Sequence, residues 1–151
     1  MLNLPEPIAQ ACRPLFETLP LEQAMPHLTG SHPKHTALVQ EILQHPALAR
    51  RPELAAGLWL YVDDLERSHV VCQEIETPTG SYWHGIMHRR EGDYANSRYW
   101  HRRAAGHPLL RDAPDGLIAE VERVQGRDDP AVVARQREEW AALFAWCAAN
   151  T

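Results

Sequence analysis

Pro52-Glu-Leu-Ala-Ala-Gly-Leu-Trp-Leu-Tyr-Val-Asp-Asp-Leu-Glu-Arg-Ser-His-Val-Val-Cys-Gln-Glu-Ile-Glu76 decides the fold. Leu54, Leu58, Tyr61, Leu65 and Cys72 advance by threes and fours, the period of a helix with one apolar stripe. Pro52 suits a first helical turn, where its missing N–H would have had no partner. Asp63, Asp64, Arg67 and Glu74 take the opposite face, so the segment reads as one helix from Pro52 to about Glu76. Thr77-Pro-Thr-Gly-Ser81 then makes a tight connection in which Thr79 or Ser81 can cap a second helix. That helix begins at Tyr82, pauses at Gly92-Asp93 with Asp93 as a new N-cap, and runs on to Arg103, which completes an αα-hairpin.

Working outward, Ile8 to Leu19 and His35 to His45 read as short helices separated by the loop Pro26 to Pro33. After Gly106-His-Pro108 come a short helix from Asp115 to Val124 and a longer one from Pro130 to about Ala149. The longer one carries Val133, Trp140, Leu143, Phe144 and Cys147 on its inner side. The twelve prolines fall mainly between apolar runs, and no alternating strand pattern, internal repeat or linker interrupts the array. The expected fold is all-α, one domain over 1–151, with short helices in 1–50, a central hairpin over 52–103 and C-terminal helices over 113–149.

A chain of 151 residues with 44% hydrophobic and 23% charged residues can bury a core without disulfides or a structural metal. Its net charge of -5 argues against nucleic acid and anionic lipid as partners and leaves a small molecule. Cys12, Cys72 and Cys147 fit no paired spacing and read as core thiols of a reducing compartment. The first residues lack a signal-peptide pattern, and no apolar run approaches the ~20 residues of a membrane span, so the cytoplasm is the expected location.

Chemistry concentrates in residues 81–100. On a helix, His84, His88 and Glu91 fall within about 60° of one another. His69 lies ~12 Å before the connection and His88 ~12 Å after it, which predicts that they stand level across the hairpin. Three imidazoles and a carboxylate suit a divalent transition metal: zinc, iron, manganese or nickel. The expected ligands are His69, His84, His88 and Glu91. Without a metal, His69 and His88 are candidate acid or base groups, with Arg89 beside them as a catalytic candidate. Trp83, Arg89, Arg90, Tyr99 and Trp100 offer guanidinium forks and stacking rings for a small anion such as a phosphate, carboxylate or nucleotide. In a purely structural reading, the arginines pair instead with acids such as Asp63, Glu66 and Glu74. The other histidines, His27, His32, His35, His45, His101 and His107, are expected in solvent.

Tyr82-Trp-His-Gly-Ile-Met-His-Arg-Arg-Glu-Gly-Asp-Tyr-Ala-Asn-Ser-Arg-Tyr-Trp100, with Arg102-Arg103 and Gly106-His-Pro108, resembles an uncharacterised family of small bacterial and fungal proteins. That family shares the signature W-H-x-x-x-H-R-R-E-x-D-x-x-N-x-x-Y-W, and Ser68-His69 and Glu76 to Ser81 also look like it. The resemblance covers the middle third to half of the chain and implies kinship, with no activity to carry over. The functional expectation is therefore a small-ligand site between two helices. It is either a metal-dependent or histidine-based hydrolase-like enzyme or a non-catalytic binder of a small anion.

Overall fold

The computed structural model describes residues 2–150. Eight α-helices lie within them: α1 Glu6–Thr18, α2 Thr36–Ile42, α3 Pro52–Tyr61, α4 Leu65–Cys72, α5 Pro78–Arg90, α6 Tyr94–Arg103, α7 Ile118–Arg123 and α8 Pro130–Asn150. The described residues contain no strand, and the fold is all-α. None of their helices is long and apolar enough to cross a membrane.

The long helix expected from Pro52 to Glu76 is two helices that fold back on each other. Asp63 enters the left-handed region at φ 61, its N–H donates to the Leu60 carbonyl at 3.0 Å, and the Asp64 N–H donates to the Trp59 carbonyl at 2.9 Å. This closes α3 as a Schellman turn. Asp64 then caps α4 by accepting from the Arg67 N–H at 3.1 Å, and Ser68 Oγ donates back to the Ala56 carbonyl at 2.9 Å. Periodicity could not reveal the break, because the apolar stripe stays in phase across the turn and both helices bury it. Asp63 and Asp64, expected on the solvent face, are 1% and 6% exposed.

The same device recurs between α5 and α6. Gly92 takes the left-handed position at φ 83, and the Asp93 N–H donates to the His88 carbonyl at 2.9 Å. Asp93 caps α6 through the Asn96 N–H at 3.2 Å, and Ser97 Oγ donates to the Gly85 carbonyl at 2.6 Å. The chain thus contains a structural repeat that the sequence reading does not detect, since only Asp-x-x-x-Ser is shared between the turns. The pause and the Asp93 cap are where the sequence puts them, but α5 starts earlier than expected. Pro78 is its first residue, and Thr77 rather than Thr79 or Ser81 is the cap, accepting from the Gly80 N–H at 3.2 Å.

Two buried arginines on α5 connect the hairpins to the rest of the molecule. Arg90 donates to the Leu60 carbonyl at 2.8 Å and pairs with the Asp63 carboxylate, so the guanidinium grips the turn of the first hairpin. A non-glycine residue in the left-handed region costs on the order of 1 kcal/mol or more. The ion pair is a reason for an aspartate at Asp63 where the second hairpin has Gly92. Arg89 donates to both oxygens of Glu139 on α8, at 2.9 and 3.2 Å, and to Gln136 at 3.4 Å. Gln136 in turn donates to the carbonyls of Met25 and His27, holding the N-terminal loop against α8.

The main core lies where α3, α5 and α8 meet. Trp140 and Phe144 stack with centroids 4.7 Å apart, Tyr61 lies 4.7 Å from Trp140, and Trp140 donates to the Gly57 carbonyl at 2.7 Å. Gly57 permits this approach, since a Cβ there would lie 2.8 Å from Trp83 and 3.0 Å from Phe144. A smaller apolar cluster of Leu28, Leu117, Val121, Val124, Val132 and Val133 joins α7 to the start of α8.

Gly57→Ala is expected to destabilise the fold by about 1–3 kcal/mol through overpacking. Asp63→Ala should cost more, about 3–5 kcal/mol, because it leaves Arg90 charged and unpaired in the core. Urea unfolding with unchanged m-values measures both; an Asp63→Ala loss below that of Gly57→Ala would refute the structural weight given to the ion pair.

Candidate metal centre

α4 supplies His69, and α5 supplies His84 and His88 one turn apart. Across the α4–α5 pair the ring centroids lie 4.9 Å (His69–His84), 5.4 Å (His69–His88) and 4.9 Å (His84–His88) from one another. One ring nitrogen from each residue lies within 4.8 Å of the other two. The level pairing predicted from the distance of His69 and His88 to the connection is present. It survives the break in the long helix because α4 alone carries His69 to the connection.

The three rings differ in environment. His84 is 3% exposed, its Nδ1 has no hydrogen-bond partner, and Trp100 stacks on it at 3.8 Å with planes only 10° apart. Burial, with His88 and His69 alongside, pulls its pKa from 6.5 down to about 3, so the ring is neutral at pH 7. His88 keeps 12% of its side-chain surface, and its Nδ1 lies 3.5 Å from Glu91 Oε2, a contact longer than a good hydrogen bond. His69 is half-buried and opens the group toward solvent. An unpartnered imidazole nitrogen in the interior costs about 1–3 kcal/mol. His101 and His107 each carry one as well, but only His84 and His88 bring theirs together beside a third imidazole.

Glu91 is exposed beside His88 and joins a second possible ligand group with Asp93. Both Asp93 oxygens are engaged by Asn96, through its backbone N–H at 3.2 Å and its amide at 2.7 Å. Asp93 is thereby committed to capping α6.

Four residues expected at a ligand stand elsewhere. Arg89 and Arg90 are fully buried in the ion pairs described above, so neither is available to hold an anionic substrate, and Arg89 has no exposed guanidinium for catalysis. Helix geometry gives the reason: at 100° per residue they rotate away from His88, one toward α8 and the other toward α3. Trp83 is likewise turned from His84 into the core against Gly57. Tyr99 is 44% exposed and meets Trp100 edge-on at 5.2 Å, which makes it a neighbour of the site's wall. Trp100 alone of this set touches the histidine group.

Two histidines expected in solvent are interior. His101 is fully buried in the space over Gly85, with Nδ1 2.9 Å from the Ser97 carbonyl. His107 is 2% exposed and accepts from the Leu109 N–H at 3.2 Å. The missed signal was the glycine at Gly85, which makes room on α5 for a ring from α6. Arg103, one of the arginines that surround this segment in the sequence but outside the expected ligand set, has its guanidinium 5.4 Å from the Trp100 ring.

No family model, curated protein or solved structure matches this chain.

Burial holds the pKa of His84, His101 and His107 below the ordinary 6.5. The unfolded chain therefore takes up protons from about pH 6.5 downward while the folded protein does not. Stability is full above that value and falls as the pH drops toward the folded values. Metal-free protein should show a lower urea midpoint at pH ~5 than at pH ~7. A midpoint that rises or stays flat over that interval would contradict neutral, buried imidazoles.

Proposed function

We propose that His69, His84 and His88 bind a divalent transition metal, zinc above all, and that the protein acts on a small ligand at the metal's open position. The observation that carries this reading is the convergence of three imidazoles around a buried, neutral His84 whose ring nitrogen has no partner in the protein. Neutral imidazole is the form that ligates, and His84 reaches it without releasing a proton near pH 7. Ligand nitrogens around tetrahedral zinc lie roughly 3.3 Å apart, and donors that already stand within 4.8 Å of one another reach that spacing by small side-chain rotations. Stacked on Trp100, His84 is the fixed member onto which the more open His69 and His88 can close.

Glu91 has the position of an outer carboxylate rather than a ligand. By accepting from His88 Nδ1–H it would fix the tautomer that turns Nε2 toward the other rings. Three histidines leave a fourth position for water or substrate, and zinc lowers the pKa of a bound water to about 7. Hydrolysis or hydration of a small carbonyl or phosphoryl compound is the reaction class this arrangement favours. In a hydrolysis the bond to the leaving group would break as the water oxygen bonds to the carbonyl or phosphoryl centre, and the water's protons would pass to the leaving group and to solvent. Glu91, on the Nδ1 side of His88, would serve to orient that ring.

Protein purified without chelators or an affinity tag is expected to contain close to one equivalent of transition metal. His84→Ala and His88→Ala should both lose it while retaining helical content. Added Zn²⁺ should raise the unfolding free energy of the wild type by about 2.7 kcal/mol at a hundredfold excess over Kd, and do little for either variant. A metal-free wild type that zinc does not stabilise would overturn the proposal.

A further inference from the structure

We infer that the cleft beside the histidine group is built for a small aromatic oxyanion, a phosphate or carboxylate on a flat ring, held by Arg103 against Trp100. This rests on the proposed metal site, whose substrate class it names. The cleft is about 480 Å³ and lies between the end of α4, the start of α5 and the end of α6, with Gln73, Thr77, Ser81, Trp100 and Arg103 in its walls. It lies one helical turn, ~5 Å, from the metal candidates: Gln73 follows His69 by four residues on α4, and Ser81 precedes His84 by three on α5.

Trp100 is shared between cleft and site. One face stacks on His84, and the Arg103 guanidinium sits at 5.4 Å from the ring. Trp100 thus touches the His84 imidazole and the Arg103 guanidinium while still lining the cleft, and so links the proposed metal group to it. Other arginines of this region are spent on carboxylates: Arg89 on Glu139, Arg90 on Asp63, Arg98 on Glu122 and Arg67 on Asp64. Arg103 has no carboxylate within ion-pair reach among the described residues. Its only hydrogen bond to them is a 3.5 Å contact with the Tyr99 hydroxyl, and the ring of Tyr99 lies 5.8 Å away. A guanidinium held over rings and unspent on an acid presents its fork to an oxyanion.

The hydroxyls of Thr77 and Ser81 and the amide of Gln73 add donors to the same walls. Glu76 also lines the cleft, out of ion-pair reach of Arg103, and its repulsion confines the anion to the Arg103–Trp100 side. The two ends of the ligand thus have different partners. An oxyanion on Arg103 leaves the rest of the molecule free to pass the edge of Trp100 toward the histidines.

Phenyl phosphate is the probe, titrated by calorimetry into metal-free protein and followed by visible absorption in Co²⁺-loaded protein. Wild type should bind it, and more tightly than inorganic phosphate. Arg103→Gln, at an exposed position, should fold normally and bind it about ten- to a hundredfold more weakly. Glu76→Gln should bind it more tightly, and saturation should perturb the cobalt spectrum of wild-type protein. Unchanged affinity in Arg103→Gln, no binding at all, or a cobalt spectrum that stays fixed at saturation would overturn the inference. If cobalt does not bind while Arg103-dependent affinity persists, the oxyanion cleft stands and the metal reading falls.

Discussion

The buried contact between Arg90 and Asp63 is the constraint on which the rest of the structure depends. It joins the last turn of α5 to the left-handed turn between α3 and α4, and thereby fixes how the two helical hairpins lie against each other. The backbone joins at the same point: the Gly30 N–H donates to the Arg90 carbonyl at 2.8 Å, and the Lys34 N–H donates to the Val62 carbonyl at 3.1 Å. A buried ion pair need not add net stability over an apolar substitute, but it penalises every arrangement that leaves either charge unpaired. In this chain that selects one register. In that register His69 on α4 stands level with His84 and His88 on α5.

Set against this interior, the histidine group supports the metal site proposed above. Arg89, Arg90, Gln136 and Trp140 each find partners, as buried polar groups ordinarily do. Buried imidazole nitrogens without a partner stand on His84, His88, His101 and His107, and only those of His84 and His88 lie together, beside a third imidazole, with His88 and His69 opposing the protonation of His84. Groups that stability alone would not gather are the natural candidates for ligand chemistry. The stacked Trp100 holds the His84 ring in one plane, and its other contacts reach the cleft at Arg103. The proposed metal group and the cleft are thus neighbours along α4, α5 and α6.

What could be read from sequence followed from local rules. The helical class, the placement of most helices, the Asp93 cap and the level pairing of His69 with His88 need only helix period, rise and capping chemistry. What could not be read shares one cause, namely that a helical wheel shows which side chains share a face but not what lies opposite. Arg89 and Arg90 look like ligand-binding cations beside a histidine strip until α3 and α8 are in place with Asp63 and Glu139. His101 looks exposed until α6 folds over Gly85, and His107 until it meets Tyr82 and Trp146.

The break at Val62–Asp64 is a different case. A left-handed aspartate gives no apolar signal, and the ion pair that makes it tolerable comes from a residue far along the chain. The sequence by itself therefore determined the all-α class and the three histidines that share a level, because those follow from periodicity within α4 and α5. Only the tertiary structure decided that Arg103 and Trp100, rather than Arg89, Arg90 and Trp83, line the cleft beside the histidines. Whether a charge points to solvent or to a buried acid depends on how helices distant in sequence pack.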